Sequence, residues 1–139
     1  MKPQSFHYDR LVKGEDLNHH GTLFAGRSAE WFVEAGFIAA ASVLPASNIV
    51  CLKIHGLTFN SPIQPGAIAL FECKIVNTGR TSVVTYIRLK VRGRAAPVLD
   101  GFITFVHVNA EGEPQPHNLT FEPETEEDMR LNREARSLR

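Results

Sequence analysis

The stretch LNHHGTLFAGRSAEWFVEAG, residues 17–36, gathers the side chains of this chain best suited to chemistry. Two adjacent imidazoles, His19 and His20, can exchange protons near neutral pH. Asn18 carries an amide able to orient a small molecule or to close an Asx turn. Gly26 lets the backbone approach a ligand closely, or serves, like Gly21, as a plain turn or packing glycine. Glu30 and Glu34 are carboxylates that can act as bases, and Arg27 is a fixed cation. On a helix, Leu23, Arg27, Glu30, Glu34 and Ala41 share a sector of roughly 60°. Their charges form one stripe, with Arg27 able to pair with Glu30 three residues on. The stripe is either a site or the solvent-facing edge of a buried helix.

The elements that must hold these residues follow from periodicity. Residues 22–42 form the one long apolar segment of helical length, with six alanines, and Pro45 stops it. Residues 6–12 read as a short strand. After Pro45 the pattern becomes strand-like over 49–59, 67–77, 81–92 and 99–109, rich in β-branched and aromatic residues. Alternation is clearest in TYIRLKVR, where Tyr86, Arg88, Lys90 and Arg92 oppose Ile87, Leu89 and Val91. Hairpin-length breaks at Pro62 to Gly66, Asn77 to Gly79 and Gly93 to Pro97 predict a mostly antiparallel sheet. From Glu111 the chain is a polar tail, until Thr125-Glu126-Glu127-Asp128 forms a capping box opening a helix over 125–138. With Met129, Leu131 and Leu138 as its large apolar anchors, that helix is expected to be peripheral. Its arginines, Arg130, Arg133, Arg136 and Arg139, are expected to face water.

Composition sets the outer bounds. The 139 residues read as a single domain, with a core over about 6–110 and a tail over 111–139. A chain of that size buries roughly 68% of its unfolded surface. The formal net charge is zero, so there is no basic field to hold nucleic acid or an anionic membrane. The chain lacks an uncharged apolar run of membrane-spanning length and a signal-peptide core at MKPQSFHYDR, which points to the cytoplasm. Cys51 and Cys73 lie in strand-like runs and read as buried structural thiols. His55 and His107 also sit in strands and read as hydrogen-bonded structural residues. No metal-ligand constellation is present in the spacing.

Four segments in unbroken order, D-L-N-H-H-G-T-L-F-A-G, E-W-F-V-E-A-G-F-I-A-A, L-T-F-N-S-P-I-Q-P-G and V-N-T-G-R-T-S-V, carry a resemblance over Asp16 to Asn109. The chain resembles the hotdog-fold acyl-CoA thioesterases, in the branch of the bacterial short- and medium-chain acyl-CoA hydrolases and the brain-type acyl-CoA hydrolase. The resemblance implies an α+β hotdog fold, one long central helix wrapped by a five- to six-stranded antiparallel sheet, with a short C-terminal helix in addition. It also implies a homodimer, assembled further into tetramers or hexamers, with active sites at the dimer interface. The substrate would be an acyl-CoA, with coenzyme A entering as part of the substrate and no separate cofactor.

Site residues follow by position. Asn18 matches the asparagine that reaches across the interface, and Gly26 the region whose amide points at the thioester oxygen. His19 and His20 flank that mouth, and Phe59, Pro62 and Ile63 wall an acyl tunnel or pack under the helix. Gly79, Arg80, Thr81 and Ser82 match the strand-start segment that contacts the nucleotide end of coenzyme A, or form a hairpin turn with a surface arginine. The helix departs from the family pattern at one place. Where the family reads like W-M-D-E-A, this chain reads Trp31-Phe32-Val33-Glu34-Ala35. The expected acid is replaced by Val33, and Glu34, about 100° further round, is the best carboxylate available as base. A hotdog 3-hydroxyacyl thioester dehydratase, pairing His20 with Glu34, and a non-catalytic acyl-CoA-binding domain are the alternatives.

Overall fold

The computed structural model describes residues 1–138, so the expectation for Arg139 lies outside the described residues. Helix α1 spans Ala25–Ala40. It begins three residues later than periodicity suggests, because Leu23 belongs to a β-bridge with Leu17 and its amide donates to the Ile63 carbonyl at 2.8 Å. Phe24 takes the cap position in extended backbone with no side-chain cap, and its amide donates to Asp16 O at 2.8 Å.

Five strands, β1 (Phe6–Leu11), β2 (Ile49–His55), β3 (Ile68–Thr78), β4 (Ser82–Val91) and β5 (Leu99–His107), form one sheet in the order β1-β3-β4-β5-β2. Every neighbouring pair is antiparallel. Strand β2 ends at His55 rather than near residue 59, because Gly56 takes a positive φ of 75° and turns the chain. One face of the sheet receives α1, which buries Trp31, Phe32, Ala35, Gly36, Ala39 and Ala40 against it. Gly36 sets how close the two layers come. A Cβ there would lie 3.0 Å from both Ile87 Cδ1 and Thr85 Oγ1. The Thr85 hydroxyl is fully buried without a hydrogen-bond partner among the described residues.

Helix α2 (Glu126–Arg136) covers the other face. Its capping box forms as the sequence predicts: Thr125 Oγ1 accepts from the Asp128 amide at 3.0 Å, and Asp128 Oδ2 from the Thr125 amide at 3.2 Å. The expectation of a peripheral element is corrected. Leu131 and Ala135 form a second small core with Val76, Val84, Tyr86 and Phe102, and each large side chain so buried stabilises by about 1.5–3 kcal/mol. The even positions of β4 are therefore not all solvent-facing, since Tyr86 lies beneath this helix. Lys74 on β3 donates to Glu127 Oε1 and Asp128 Oδ1, both at 3.0 Å. Burial works against the Lys74 charge, but the two acceptors outweigh it and its pKa is raised.

Between β5 and α2, a strap runs back over the β3–β4 hairpin. His117 Nε2 meets Ser82 O at 2.8 Å, while its Nδ1 accepts from the Leu119 amide at 2.9 Å. Phe121 N donates to Thr78 Oγ1 at 3.0 Å.

The sheet edge at β2 pairs with β5 alone and exposes Val50, Leu52 and Ile54. Cys51 on the same strand is exposed, which corrects its reading as a core thiol. Cys73 is buried, and burial pushes its thiol up to about 11. Among the described residues, no helix is long and apolar enough to cross a membrane.

Candidate active site

At the start of α1 the chain lines an open cleft of about 260 Å³. Asn18, Thr22, Ser28, Asn60 and Ser61 supply its polar lining, and Leu23, Phe59, Pro62, Ile63, Val98 and Leu99 its apolar wall. Sequence reading found Asn18, Phe59, Pro62 and Ile63 but missed Asn60 and Ser61, which lie in the loop 56–67 that no periodicity distinguishes. That loop is held by Arg94, which donates to Ser61 Oγ at 3.0 Å and Pro62 O at 3.1 Å. The first amides of the helix, those of Ala25 and Gly26, make no hydrogen bond among the described residues. Uncapped amides at a helix start carry partial positive charge and attract a developing oxyanion.

Asn18 is committed in part to its own loop. Its Oδ1 accepts from the His20 amide at 2.8 Å and the Thr22 amide at 3.2 Å, and its Nδ2 donates to Thr22 Oγ1 at 3.1 Å. This Asx turn, closed by Gly21 at a φ of 77°, shapes the loop into the helix. One Nδ2 hydrogen remains for a ligand. His19 and His20 lie with ring centroids 3.9 Å apart and ring planes tilted by 42°, exposed and outside the cavity lining. A Cβ on Gly26 would lie 2.6 Å from the tip of the Phe24 ring, an exposed side chain that would have to turn aside.

The charged stripe of α1 is divided among different partners. Arg27 turns to Asp16, Nη1 to Oδ1 at 3.6 Å, and not to Glu30. Asp16 is buried and also accepts from the Lys13 amide at 2.9 Å. Glu34 lies outside the cavity lining. The Tyr8 hydroxyl donates to its Oε2, and Arg10 Nη2 reaches the same oxygen at 3.1 Å. Burial first, and then the bond to Glu34, raises the Tyr8 pKa. Sequence reading missed Tyr8 and Arg10. The signal was there, since alternation along FHYDRL turns Phe6, Tyr8 and Arg10 inward, and an inward arginine requires an acceptor. Beside Glu34, the side chains of Val33, Phe37 and Ile38 line a shallow apolar hollow.

The candidate coenzyme A segment is the β3–β4 turn. Gly79 N donates to Ser82 O at 2.9 Å, and a Cβ on Gly79 would lie 2.5 Å from Ser82 Oγ. Arg80 is exposed, and Thr81 O accepts from His107 N at 2.7 Å. None of these four residues lines the cavity. His55 and His107 are hydrogen-bonded as expected, to Thr104 Oγ1 at 2.7 Å and Gln115 O at 3.0 Å.

Residues 20–97, more than half of the chain, match the pattern of the thioesterase superfamily. The chain belongs to that superfamily. This thioesterase-superfamily chain is similar to a hexameric acyl-CoA thioesterase solved without ligand, at 31% identity and a TM-score of 0.86, covering 96% of this chain and 86% of that one. It is also 25% identical over 124 residues to the uncharacterised acyl-CoA thioester hydrolase YkhA of Bacillus subtilis, covering 86% of this chain and 71% of that protein. It shares its fold with the acyl-CoA hydrolase of Staphylococcus aureus, solved in complex with butyryl coenzyme A, coenzyme A and coenzyme A disulfide. There the TM-score is 0.83 at 22% identity, covering 95% of this chain and 79% of that one. The α+β hotdog architecture expected from the sequence is thus the one observed, with five strands.

Proposed function

We propose that this chain hydrolyses acyl-CoA thioesters to the free acid and coenzyme A, at a site shared between two copies of the chain. The observation that carries the reading is the cavity at the start of α1, where uncapped amides meet an apolar wall and an asparagine. That combination suits a thioester: an apolar acyl group, a carbonyl oxygen that gains charge during attack, and a water to be oriented. In the reaction, water adds to the carbonyl carbon and gives its proton to Glu34. The oxyanion forms against the amides near Gly26, and Asn18 Nδ2 orients the water or the thioester. The C–S bond then breaks, and the coenzyme A thiolate takes the proton from Glu34. Each cycle consumes one water and needs no cofactor beyond the coenzyme A carried by the substrate.

Glu34 sits eight residues beyond Gly26, about 12 Å along the axis, too far to serve the same carbonyl from one chain. A homodimer resolves this, with Glu34 of one copy facing Asn18 and Gly26 of the other. Two apolar surfaces support it: the hollow of Val33, Phe37 and Ile38 beside Glu34, and the β2 edge with Val50, Leu52 and Ile54. Further assembly to a tetramer or hexamer accords with the hexameric relative. In this reading His19 and His20 border the mouth, Phe59 bounds the acyl group, and Gly79, Arg80, Thr81 and Ser82 meet the nucleotide end of coenzyme A. Arg80 offers the forked donor suited to phosphate. The whole chain, 1–139, acts as one hotdog domain in the cytoplasm, with neither nucleic acid nor membrane as partner.

The test is thiol release from a panel of acyl-CoAs. Turnover is expected, and Glu34→Ala should lower kcat by about 10²–10⁴-fold, the range for loss of a general base. Thiol release untouched by Glu34→Ala would remove Glu34 from the mechanism. Hydration of an enoyl-CoA without thiol release would replace hydrolysis by dehydratase chemistry, and saturable binding without turnover by a binding role.

A further inference from the structure

Glu34 is a flexible side chain on the partly exposed face of α1, and a free glutamate there would sample many rotamers. Strand β1 prevents this. The Tyr8 hydroxyl donates to Glu34 Oε2 and itself accepts from Arg10 Nε at 2.7 Å. Arg10 Nη2 bonds to that same Oε2 at 3.1 Å, so two donors converge on one oxygen. Oε1 has no hydrogen-bond partner among the described residues. The guanidinium is seated by aromatic rings, 4.9 Å from the Tyr8 centroid and 5.3 Å from that of Trp31. Those rings are packed in turn on Phe71, at 5.8 Å from Tyr8 and 6.4 Å edge-on from Trp31. Phe71 is fully buried and lies opposite Tyr8 in the β1–β3 register.

We infer that Tyr8 and Arg10 are positioning residues for Glu34: they hold its carboxylate through Oε2 and leave Oε1 as the oxygen that takes the proton from water. The inference rests on the reading of Glu34 as the base. An ordinary surface ion pair does not have this form, because it lacks a rigid seat and pays side-chain entropy to form. Here the cation is seated by two rings and by the Tyr8 hydroxyl, which accepts from Arg10 Nε, before it meets the carboxylate. The arrangement also accounts for the displaced acid. Moving a carboxylate from position 33 to 34 rotates it about 100° around the helix, toward β1, where it needs a strand-side anchor. Tyr8 and Arg10, two residues apart on one face of β1, supply it. Reactions of this kind lose rate when a group is misplaced by an ångström, so an anchor shows in kcat rather than in substrate affinity.

The test is a cycle of variants followed by thiol release from butyryl-CoA, with thermal melting to verify folding. Tyr8→Phe and Arg10→Gln should each lower kcat at least tenfold with KM within twofold of the parent, and Arg10→Lys should recover part of the loss. Because the effect acts through Glu34, Tyr8→Phe placed on Glu34→Gln should lower the residual rate by less than twofold. Tyr8→Phe and Arg10→Gln at parental kcat, with Glu34→Gln inactive, would overturn the inference and leave the base reading intact. Equal loss from Tyr8→Phe in both backgrounds would also overturn it, as a packing effect. Parental turnover in Glu34→Gln removes the base reading and this inference together. Should Tyr8→Phe fail to fold, the contrast of Arg10→Gln with Arg10→Lys decides between the same outcomes.

Discussion

Val33 faces the hollow shared with Phe37 and Ile38, half-buried against the core, and its side chain has no group that can make a hydrogen bond. Glu34, one residue on, accepts from two donors. The helix thus carries its carboxylate where β1 can hold it. This separates two ways of restoring a lost acid. Adding Val33→Asp to the Glu34→Gln variant should raise thiol release about tenfold over Glu34→Gln alone, well short of the parent, since a carboxylate at position 33 would lack the anchor of Tyr8 and Arg10. No recovery at all would mean that position 33 does not face the reacting thioester. At this scale the sequence was only partly legible. Asn18 and Phe59, which line the cavity, could be read from the sequence because each stands in a recognisable string, whereas Gly26 lies outside that lining. Tyr8 and Arg10 could not be tied to Glu34, because a strand and a helix more than twenty residues apart meet only through the register of β1 on β3. Arg27 illustrates the same limit. Helical spacing favours Glu30 as its partner, yet the loop that delivers Asp16 to the helix start offers a buried carboxylate instead.

Among the elements, α2 departs most from its sequence. Its boundaries follow from Thr125 and Asp128, a local signal, whereas its docking depends on Lys74, a buried lysine in the middle of β3 that no local pattern relates to the tail. Leu131 alone looks too small an anchor until Val76, Tyr86 and Phe102 are seen beneath it. The ion pairs give this docking a pH dependence. The Glu127 pKa is lowered by its bond to Lys74, and for Asp128 burial is outweighed by Lys74 and by the Thr125 and Glu124 amides, so its pKa is lowered too. Carboxylates with lowered folded pKa values stabilise fully above their unfolded values, about 4, and lose that stabilisation as the pH falls through the folded values. The raised Lys74 contributes below its ordinary value, near about 10.4, and is lost only above it. Between about pH 5 and pH 10 the docking of α2 should therefore be flat, with its amides losing hydrogen-exchange protection below about pH 4. Lys74→Met should flatten that acid limb and cost about 2 kcal/mol at pH 7 in denaturant titration, by leaving Asp128 buried without its cation. An unchanged acid limb in Lys74→Met would assign the loss to other carboxylates.

For the molecule as a whole, the proposed site exists only when β2 and the outer side of α1 are covered by a second copy. Leu52 is 67% exposed in the single chain, so Leu52→Glu should change the stability of one chain by no more than about 0.5 kcal/mol. In sedimentation the same variant should shift the particle toward monomer and abolish thiol release. A Leu52→Glu protein that stays dimeric and active would move the interface elsewhere. The overall architecture was the most legible level, because one helical segment among strand-length runs with hairpin breaks allows few arrangements. What joins the scales is Gly36. With no side chain between helix and sheet at that point, the spacing of the two layers is fixed by backbone against the tips of Ile87 and Thr85. Glu34, two residues earlier on the same rigid cylinder, inherits its height above β1 from that spacing. A methyl group at position 36 would act like a shim under a hinge, lifting the carboxylate from its anchor without altering any residue that handles the substrate.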